Sequence, residues 1–426
     1  MKPTTTAIPK GWTFCPLGSL LREIDVRVMD LPRDQRKSIE LLSLTKRFGL
    51  IPQSQRFEKR VATENVDKYK VVRPGWIVYN PYVIWEGAIH ALRRDTPGIV
   101  SPVYVVWERT EDDGGFLDLI LRTPELIAAY EKLSAGAVNR RRSIKKDGFR
   151  GIEVATPPLE EQRKIAGVLK MVKRTLDQQE RLLALTGELK KSLVNQLFTK
   201  GLRGEPQQQT EIGPVPQSWE VVRLSDVCSF QSGGTPSKQR PDYWEGTIPW
   251  VSPKDMKRPR LTDVADHISQ EALDEGSKLA PAWSVLVVVR GMILAKDIPV
   301  ALTEVPMAIN QDMKAIIPGE RLFADFLLYA ISAFKQKLFE KVGRSAHGTM
   351  TLMGSEVVNF LIPLPDKETQ RQVADAIQTL ERKCEIHQRK LDALTALFHT
   401  LLHQLMTAQI PVCNLDLPEM ETALKE

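Results

Sequence analysis

The chain is written twice. Ile8-Pro-Lys-Gly-Trp12 returns as Val215-Pro-Gln-Ser-Trp219, and Arg73-Pro-Gly-Trp76 returns within Leu279-Ala-Pro-Ala-Trp283, each at a spacing of 207 residues. Leu159-Glu-Glu-Gln-Arg163-Lys-Ile-Ala166 returns as Lys367-Glu-Thr-Gln-Arg371-Gln-Val-Ala374, at a spacing of 208. Solenoid units run roughly 20–50 residues, so a period this long means a whole domain with its following element, duplicated and then diverged. Two related but unequal halves suit the reading of two related but unequal things.

A length of 426 residues predicts two to four domains, and an apolar content of 42% lets each half bury a core. Lys+Arg 59 against Asp+Glu 53 leaves a net charge of +6. That excess permits an acidic polymer as partner without demanding one. No apolar leader-like segment follows Met1, and the longest apolar run, Val285 to Val289, is far short of the roughly 20 residues that span a bilayer. It is expected to be a buried strand. Cys15, Cys228, Cys384 and Cys413 form no CxxC pair, which argues against both a zinc site and a disulfide framework. The expectation is a soluble, reduced, cytoplasmic protein with no membrane partner.

Along the chain, residues 1–156 and 219–362 carry short β-branched and aromatic segments punctuated by Gly and Pro, such as Trp76-Ile-Val-Tyr79 and Val103-Tyr-Val-Val-Trp107. These predict strands, and Leu117 to Leu133 is expected to be helical, so each domain is mixed α and β. Residues 157–200 and 363–409 are different. Between Leu159 and Lys200 there is no proline, Pro157 and Pro158 suit a helix start, and Gly201 suits a stop. The matching second rod starts at Pro365-Asp366 and runs to about Met406. About 40 residues at 1.5 Å each make a rod of roughly 60 Å. Residues 201–218 are expected to be a polar linker and 410–426 a tail.

The second rod has a clear seam: Val373, Ile377, Leu380, Cys384, His387, Leu391, Leu394, Phe398, Leu401 and Leu405 alternate by four and three. This is coiled-coil spacing. The first rod carries Ile165, Leu169, Val172, Leu176, Gln179, Leu183, Thr186, Lys190, Leu193 and Leu197 at the matching places, a weaker seam. The simplest cover for each stripe is the other rod. Because the first rod leads into the second domain and the second leaves it, the two pair antiparallel with one domain at each end. Gln179 and His387, 208 residues apart, are expected near the middle, either fixing register or facing solvent at a weak point.

Gln231-Ser-Gly-Gly-Thr-Pro-Ser237, Tyr243-Trp-Glu-Gly246, Ile248-Pro-Trp-Val251 and Asp255-Met256 stand in that order in the second half. Leu44-Thr-Lys-Arg-Phe-Gly49, Tyr79-Asn-Pro81, Glu86-Gly-Ala88 and Gly98-Ile-Val-Ser-Pro102 stand in the first. With the helix starts and Gly201-Leu-Arg-Gly204, these strings resemble the specificity subunits of type I restriction–modification systems over nearly the whole chain. The second rod departs from the commoner start, with LPDKETQ in place of a PLEEQ string, which leaves its cap open. The resemblance implies an α+β fold. Two mixed α/β target recognition domains would be separated by two long helices in an antiparallel coiled coil, with a pseudo-twofold internal repeat. It also implies a non-catalytic scaffold on double-stranded DNA. Two DNA adenine methyltransferase subunits would bind it, and restriction/translocase subunits would join through that methyltransferase core. Any S-adenosylmethionine, ATP or Mg would sit on those partners, with no cofactor or metal on this chain. Each domain would read one half of a split, asymmetric target. The half-sites would be approached in inverted sense, within reach of a rod bridging one to two duplex turns of roughly 34–36 Å each.

Candidate DNA contacts follow from charge. Asn139-Arg140-Arg141-Arg142 with Lys145 and Lys146 is the densest basic cluster, and Arg344 marks its sparser counterpart. Guanidinium and ammonium groups suit phosphates, which supply affinity without choosing sequence; the alternative is a solvated turn before the rod. Thr235, Ser237, Lys238, Arg240, Lys254, Lys257 and Arg258 lie early in the second domain, with Gln239, Ser252 and Arg260 nearby. Lys46, Arg47, Gln53, Gln55, Arg56, Lys59 and Arg60 occupy the first. Arg to guanine and Gln to adenine are the pairings geometry favours. Gly233 and Gly234 are read as a turn, and Tyr243, Trp244 and Trp250 as core.

Catalytic motifs are incomplete. Asn80-Pro81-Tyr82 resembles the NPPY of adenine methyltransferases but lacks a proline and a preceding Gly-rich loop. His399 and His403 stand four apart, yet Thr400 replaces the glutamate of HExxH, and they lie off the seam. No phosphate loop ends in Gly-Lys-Ser/Thr, and Pro241-Asp242 lacks a nuclease's spaced Glu-x-Lys. Two rival readings stay open: a self-contained adenine methyltransferase or restriction–methylase fusion, and a coiled-coil adaptor with no DNA role.

Overall fold

The structure is a computed structural model. It describes residues 9–37, 39–46, 48–55, 66–135, 142–345 and 348–412. The chain divides into two compact units, one of residues 1–178 with 391–426 and one of residues 179–390. Each unit holds one mixed α/β domain and part of each long helix.

In the first unit, one four-stranded sheet has the order Leu21–Ile24, Val105–Arg109, Ile77–Tyr79, Ile89–Ala91, antiparallel throughout. A second has the order Gly49–Pro52, Glu40–Thr45, Gly98–Val100, Lys70–Val72, with its central pair parallel. Phe149 is the hub of the core, with Tyr79, Trp107 and Tyr130 ring centroids 4.8, 5.5 and 6.0 Å away. The stretch expected as one helix from Leu117 is two, Phe116–Ile120 and Pro124–Leu133. Pro124 has no N–H to donate backwards and its ring crowds the preceding turn, so it opens a new helix instead of continuing the old one.

In the second unit, a five-stranded sheet runs Cys228–Ser232, Met313–Pro318, Val285–Val288, Val300–Thr303, Arg260–Leu261. A four-stranded sheet runs His267–Ile268, Ile248–Val251, Met307–Ile309, Lys278–Ala280. Val285–Val288 is buried on both faces, as its unbroken apolar run requires. The stretch expected as a linker is folded: Gln207–Thr210 and Gly213–Pro216 form a hairpin. Val215 is fully buried there, and the Gln208 amide donates to the Trp219 carbonyl at 2.8 Å. Amide side chains that read as polar linker are satisfying backbone groups.

Both domains close in the same way. Thr13–Pro16 pairs antiparallel with Glu153–Thr156, and Glu220–Arg223 pairs antiparallel with Leu361–Leu364. The long helices start just beyond, at Leu159 and Lys367, and end at Lys200 and Met406. Their starts are secured by one device. The Gln162 amide donates to the Pro157 carbonyl at 2.8 Å, and the Gln370 amide donates to the Pro365 carbonyl at 2.9 Å. The cap left open by LPDKETQ is Asp366, whose carboxylate accepts from the Thr369 N–H at 3.0 Å and from its hydroxyl at 2.6 Å. Those bonds hold the Asp366 carboxyl below its usual pKa.

Within each unit the two helices pack antiparallel along the expected seams. In the first, Ile165 and Leu169 share a core with Phe398, Leu401 and Leu405. In the second, Leu193 and Leu197 share one with Val373 and Ile377. Gln179 and His387 meet: the amide donates to the ring Nδ1 at 2.6 Å and to the His387 carbonyl at 3.1 Å. His399 and His403 are exposed. No described helix is long and apolar enough to cross a membrane.

Gln370 also accepts from the Phe323 N–H and donates to the Arg321 carbonyl, whereas among the described residues the Gln162 side chain bonds only its proline carbonyl. Removing a partner from a buried polar group costs about 1–3 kcal/mol. Gln370→Ala should therefore destabilise the chain by about 2–4 kcal/mol and Gln162→Ala by about 1 kcal/mol. Urea unfolding of the two variants checks the order; equal losses would contradict it.

Candidate nucleic-acid interface

Arg47, Arg56, Lys59, Arg60, Arg140 and Arg141 lie outside the described residues. The other candidates gather on three features, the second of which recurs in both units.

The first is the hairpin joining Glu40–Thr45 to Gly49–Pro52. Its tip is tightly tied: the Thr45 hydroxyl accepts from the Phe48 N–H at 2.9 Å and donates to the Gly49 carbonyl at 3.0 Å. Gly49 adopts φ +72, and His90 packs against it, with Nδ1 3.3 Å from where a Cβ would stand. The other ring nitrogen lies 3.1 Å from the Lys46 carbonyl. Lys46 is ion-paired with Glu86. Gln53 is half-buried and Gln55 exposed in the 3-10 turn that follows.

The second feature recurs in both units. A short strand pair follows the longer domain helix (Pro124–Leu133, Ala324–Phe339) and precedes a five-residue helix (Lys146–Arg150, Gly354–Val358) and the closing strand: Ser134–Ala135 with Ser143–Ile144, and Gly343–Arg344 with Met350–Thr351. Arg142 and Lys145 flank the first strand pair and Arg344 lies in the second, so the two strand pairs are structural equivalents. The structure engages Arg142 elsewhere. Its Nε donates to the Ser134 carbonyl at 3.2 Å, capping the C-terminal end of Pro124–Leu133, and its guanidinium lies 5.2 Å from the Trp85 ring centroid. Lys146 pairs with Glu23. Lys145 and Arg344 are exposed and have no ion pair among the described residues.

The third feature is the start of the second domain. Gly233 and Gly234 are more than a turn. A Cβ on Gly233 would stand 2.0 Å from the Ile309 carbonyl oxygen, and one on Gly234 2.0 Å from that of Gly276. Only glycine lets the backbone thread this gap. Tyr243 and Trp250 are buried, with Trp244 packed edge-on to Trp250. Among the polar candidates, the Thr235 hydroxyl bonds Gln311, and the Ser237 hydroxyl accepts from the Gln239 N–H at 3.3 Å. Ser252 and Asp255 form a capping box. Arg240 grips Asp242 at 2.5 Å and Glu271 at 3.2 Å, and lies 4.2 Å from the Tyr243 ring centroid. The hydrogen bonds to Asp242 raise the already high pKa of the Arg240 guanidinium, and the same bonds lower that of the Asp242 carboxyl. Lys254 pairs with Asp266 at 2.5 Å, which raises its pKa as well. Lys238, Lys257 and Arg258 are exposed and unpaired among the described residues. Lys257 and Arg258 share a concavity with Lys254, Arg260 and Asp263.

Residues 216–396 match the family model of the type I restriction modification DNA specificity domain. That stretch covers the second domain and most of the long helix that follows it, and it is similar to that family. It is 34% identical over 164 residues to the specificity subunit of the Escherichia coli EcoR124I/EcoR124II type I restriction enzyme, covering 38% of this chain and 41% of that protein. It is 23% identical over 363 residues to the Methanocaldococcus jannaschii MjaVIII specificity subunit, covering 78% and 80%. The stretch shared with the MjaIX subunit of the same organism is 46% of that protein, so the chain spans less than half of some of the relatives it matches. These relatives are specificity subunits of type I restriction enzymes. The fold matches the type I restriction–modification S subunit from M. genitalium with TM-score 0.58 at 14% identity, covering 95% of this chain and 98% of that one. A second type I system structure gives 0.52 at 17% identity, covering 94% and 99%.

Within this specificity-subunit fold, two features escaped the sequence. Phe48 is 68% exposed at the tied hairpin tip, and no reading of the sequence singled it out. Arg260 counts by charge with the DNA contacts, but it is half-buried between Glu304 and Asp325.

His90, behind the tip, is only 2% exposed. Burial, helped by the Arg122 cation, pushes its pKa down from 6.5 to about 4. The unfolded chain therefore takes up a proton before the folded one does. Stability is intact above about pH 6.5 and is lost as pH falls toward about 4. Unfolding free energies measured across that window should fall with acid, and His90→Gln should flatten the slope. An unchanged slope would show that other groups cause it.

Proposed function

We propose that this chain reads a split, asymmetric double-stranded DNA target, one mixed α/β domain to each half, and docks two methyltransferase subunits. Restriction/translocase subunits join through them. One observation supports this above the others: both units carry a short strand pair at the same place in the fold, between the longer domain helix and the five-residue helix before the closing strand, with exposed Lys145 next to one and exposed Arg344 in the other. A duplicated frame with different loops is the arrangement expected for recognising two unlike half-sites.

In this reading the exposed cations Lys145, Lys238, Lys257, Arg258 and Arg344, which have no ion pair among the described residues, meet phosphates. The cations tied to carboxylates, Lys46, Lys146, Arg240 and Lys254, shape loops. A lysine already holding an aspartate releases fewer counterions when it meets a phosphate, so the free ones carry most of the affinity. Arg142 serves its helix end. Sequence is read by groups on the loop from Gly233 to Arg258 in one domain and on the hairpin tip at Lys46 to Phe48 and the Gln53–Gln55 turn in the other. S-adenosylmethionine, ATP and Mg belong to the partners.

Mapping methylated adenines in host DNA, with and without the gene, tests the core of this reading. A two-part motif should disappear on deletion; an unchanged methylation map would end it. A narrower test is salt dependence. Lys257→Ala with Arg258→Ala should weaken binding to all duplexes and reduce the slope of log affinity against log salt by about 2, one per lost phosphate contact. An unaltered slope would remove these two residues from the interface.

A further inference from the structure

A buried chain of polar groups in the second unit has no part in the reading above. Glu381, on the second long helix, is only 8% exposed. It accepts from Lys190 of the first long helix at 2.7 Å and from the Tyr329 hydroxyl at 2.6 Å. Tyr329 lies on Ala324–Phe339, and its oxygen is 3.5 Å from Arg260 Nη2. Arg260 continues the chain to Glu304, at 3.3 Å, and to Asp325. Side chains on the helix pair are thus bonded, one to the next, to the edge strand Arg260–Leu261, which ends the turn carrying Lys257 and Arg258.

Stability does not account for this arrangement. Taking the Glu381 carboxylate out of water costs several kcal/mol, its partner Lys190 stays 33% exposed, and apolar replacements of such pairs are often neutral or stabilising. The repeat supplies a comparison. The position 208 residues after Lys190 is Phe398, packed in the apolar core of the other unit. The position 208 before Glu381 is Lys173, which pairs along its own helix with Asp177 at 3.0 Å. At the equivalent positions the other unit does without this pair.

We propose that Lys190, Glu381 and Tyr329 are positioning residues: through Arg260 they fix the basic turn 253–259, and so set the sequence preference of the second domain without touching DNA. This rests on the DNA-reading function proposed above. Rigid support of a contact loop from behind is what separates a selective site from a merely sticky one, because a loop free to shift meets right and wrong bases equally well.

The test is selection from a randomised duplex library by the full chain with its partner subunits, scored separately for each half of the target. Lys190→Leu with Glu381→Leu should unfold at the wild-type midpoint or above. It should nevertheless lose about tenfold or more of its base preference at one half-site, the size of a base-pair mismatch, with the other half unchanged. Tyr329→Phe, which cuts the link to Arg260 but leaves the Lys190–Glu381 pair, should lose preference at the same half-site. If the double variant fails to fold, Tyr329→Phe decides alone. Full preference at both halves, or equal loss at both, overturns the proposal. A wild-type protein with no preference anywhere would overturn the DNA-reading function itself.

Discussion

Each domain is tied shut by the same short antiparallel pair, and the rest of the fold depends on it. Because Thr13–Pro16 lies against Glu153–Thr156, and Glu220–Arg223 against Leu361–Leu364, each domain starts and finishes at one edge. The long helix has to leave from that edge. Its direction is then set over the first turn by a glutamine reaching back to a proline carbonyl, Gln162 to Pro157 and Gln370 to Pro365. A helix start is where four N–H groups and the preceding carbonyls need partners. Placing one buried amide there fixes the joint between domain and helix. The surrounding residues have drifted, from Pro158-Leu-Glu-Glu to Asp366-Lys-Glu-Thr, yet the bond is kept.

The seam shows the opposite tendency. Its spacing is kept, but its chemistry differs between units. In one, Phe398, Leu401 and Leu405 face Ile165 and Leu169. In the other, Gln179 bonds His387 and Lys190 bonds Glu381. A buried polar pair penalises every alignment except the one in which both partners meet. Such pairs therefore give a definite register to the rod whose apolar seam is weaker.

What the sequence could disclose follows from how local each signal is. The rods were legible because a four-and-three spacing repeats over some 40 residues and needs no knowledge of what lies opposite. The duplicated closure was legible because its tryptophans, prolines and glutamines recur at fixed spacing. The roles of single cations were not. Lys146 and Glu23 are 123 residues apart, Lys46 and Glu86 are 40, and Arg240 and Glu271 are 31. Pairing at such distances is decided by topology, so a paired lysine and a free one look alike in sequence. The hairpin at 207–216 was hidden for a related reason: Gln208 is polar in composition, but its partner, the Trp219 carbonyl, is known only once the chain has folded.

These differences divide the molecule by tolerance to change. The closing strands and helix starts must match each other, so a substitution on one side is felt at once on the other. The loops from Gly233 to Arg258 and around Phe48 answer to nothing in the frame except where they are anchored. The anchors are few: glycines that let backbone pass 2.0 Å from where a Cβ would stand, a threonine tying a hairpin tip, an arginine bridging two carboxylates. Surface cations between anchors can be exchanged at little cost to stability, since exposed charges contribute well under about 1 kcal/mol each. A fold built this way can acquire a new target by replacing loop residues while the joints, which carry the stability, stay as they are.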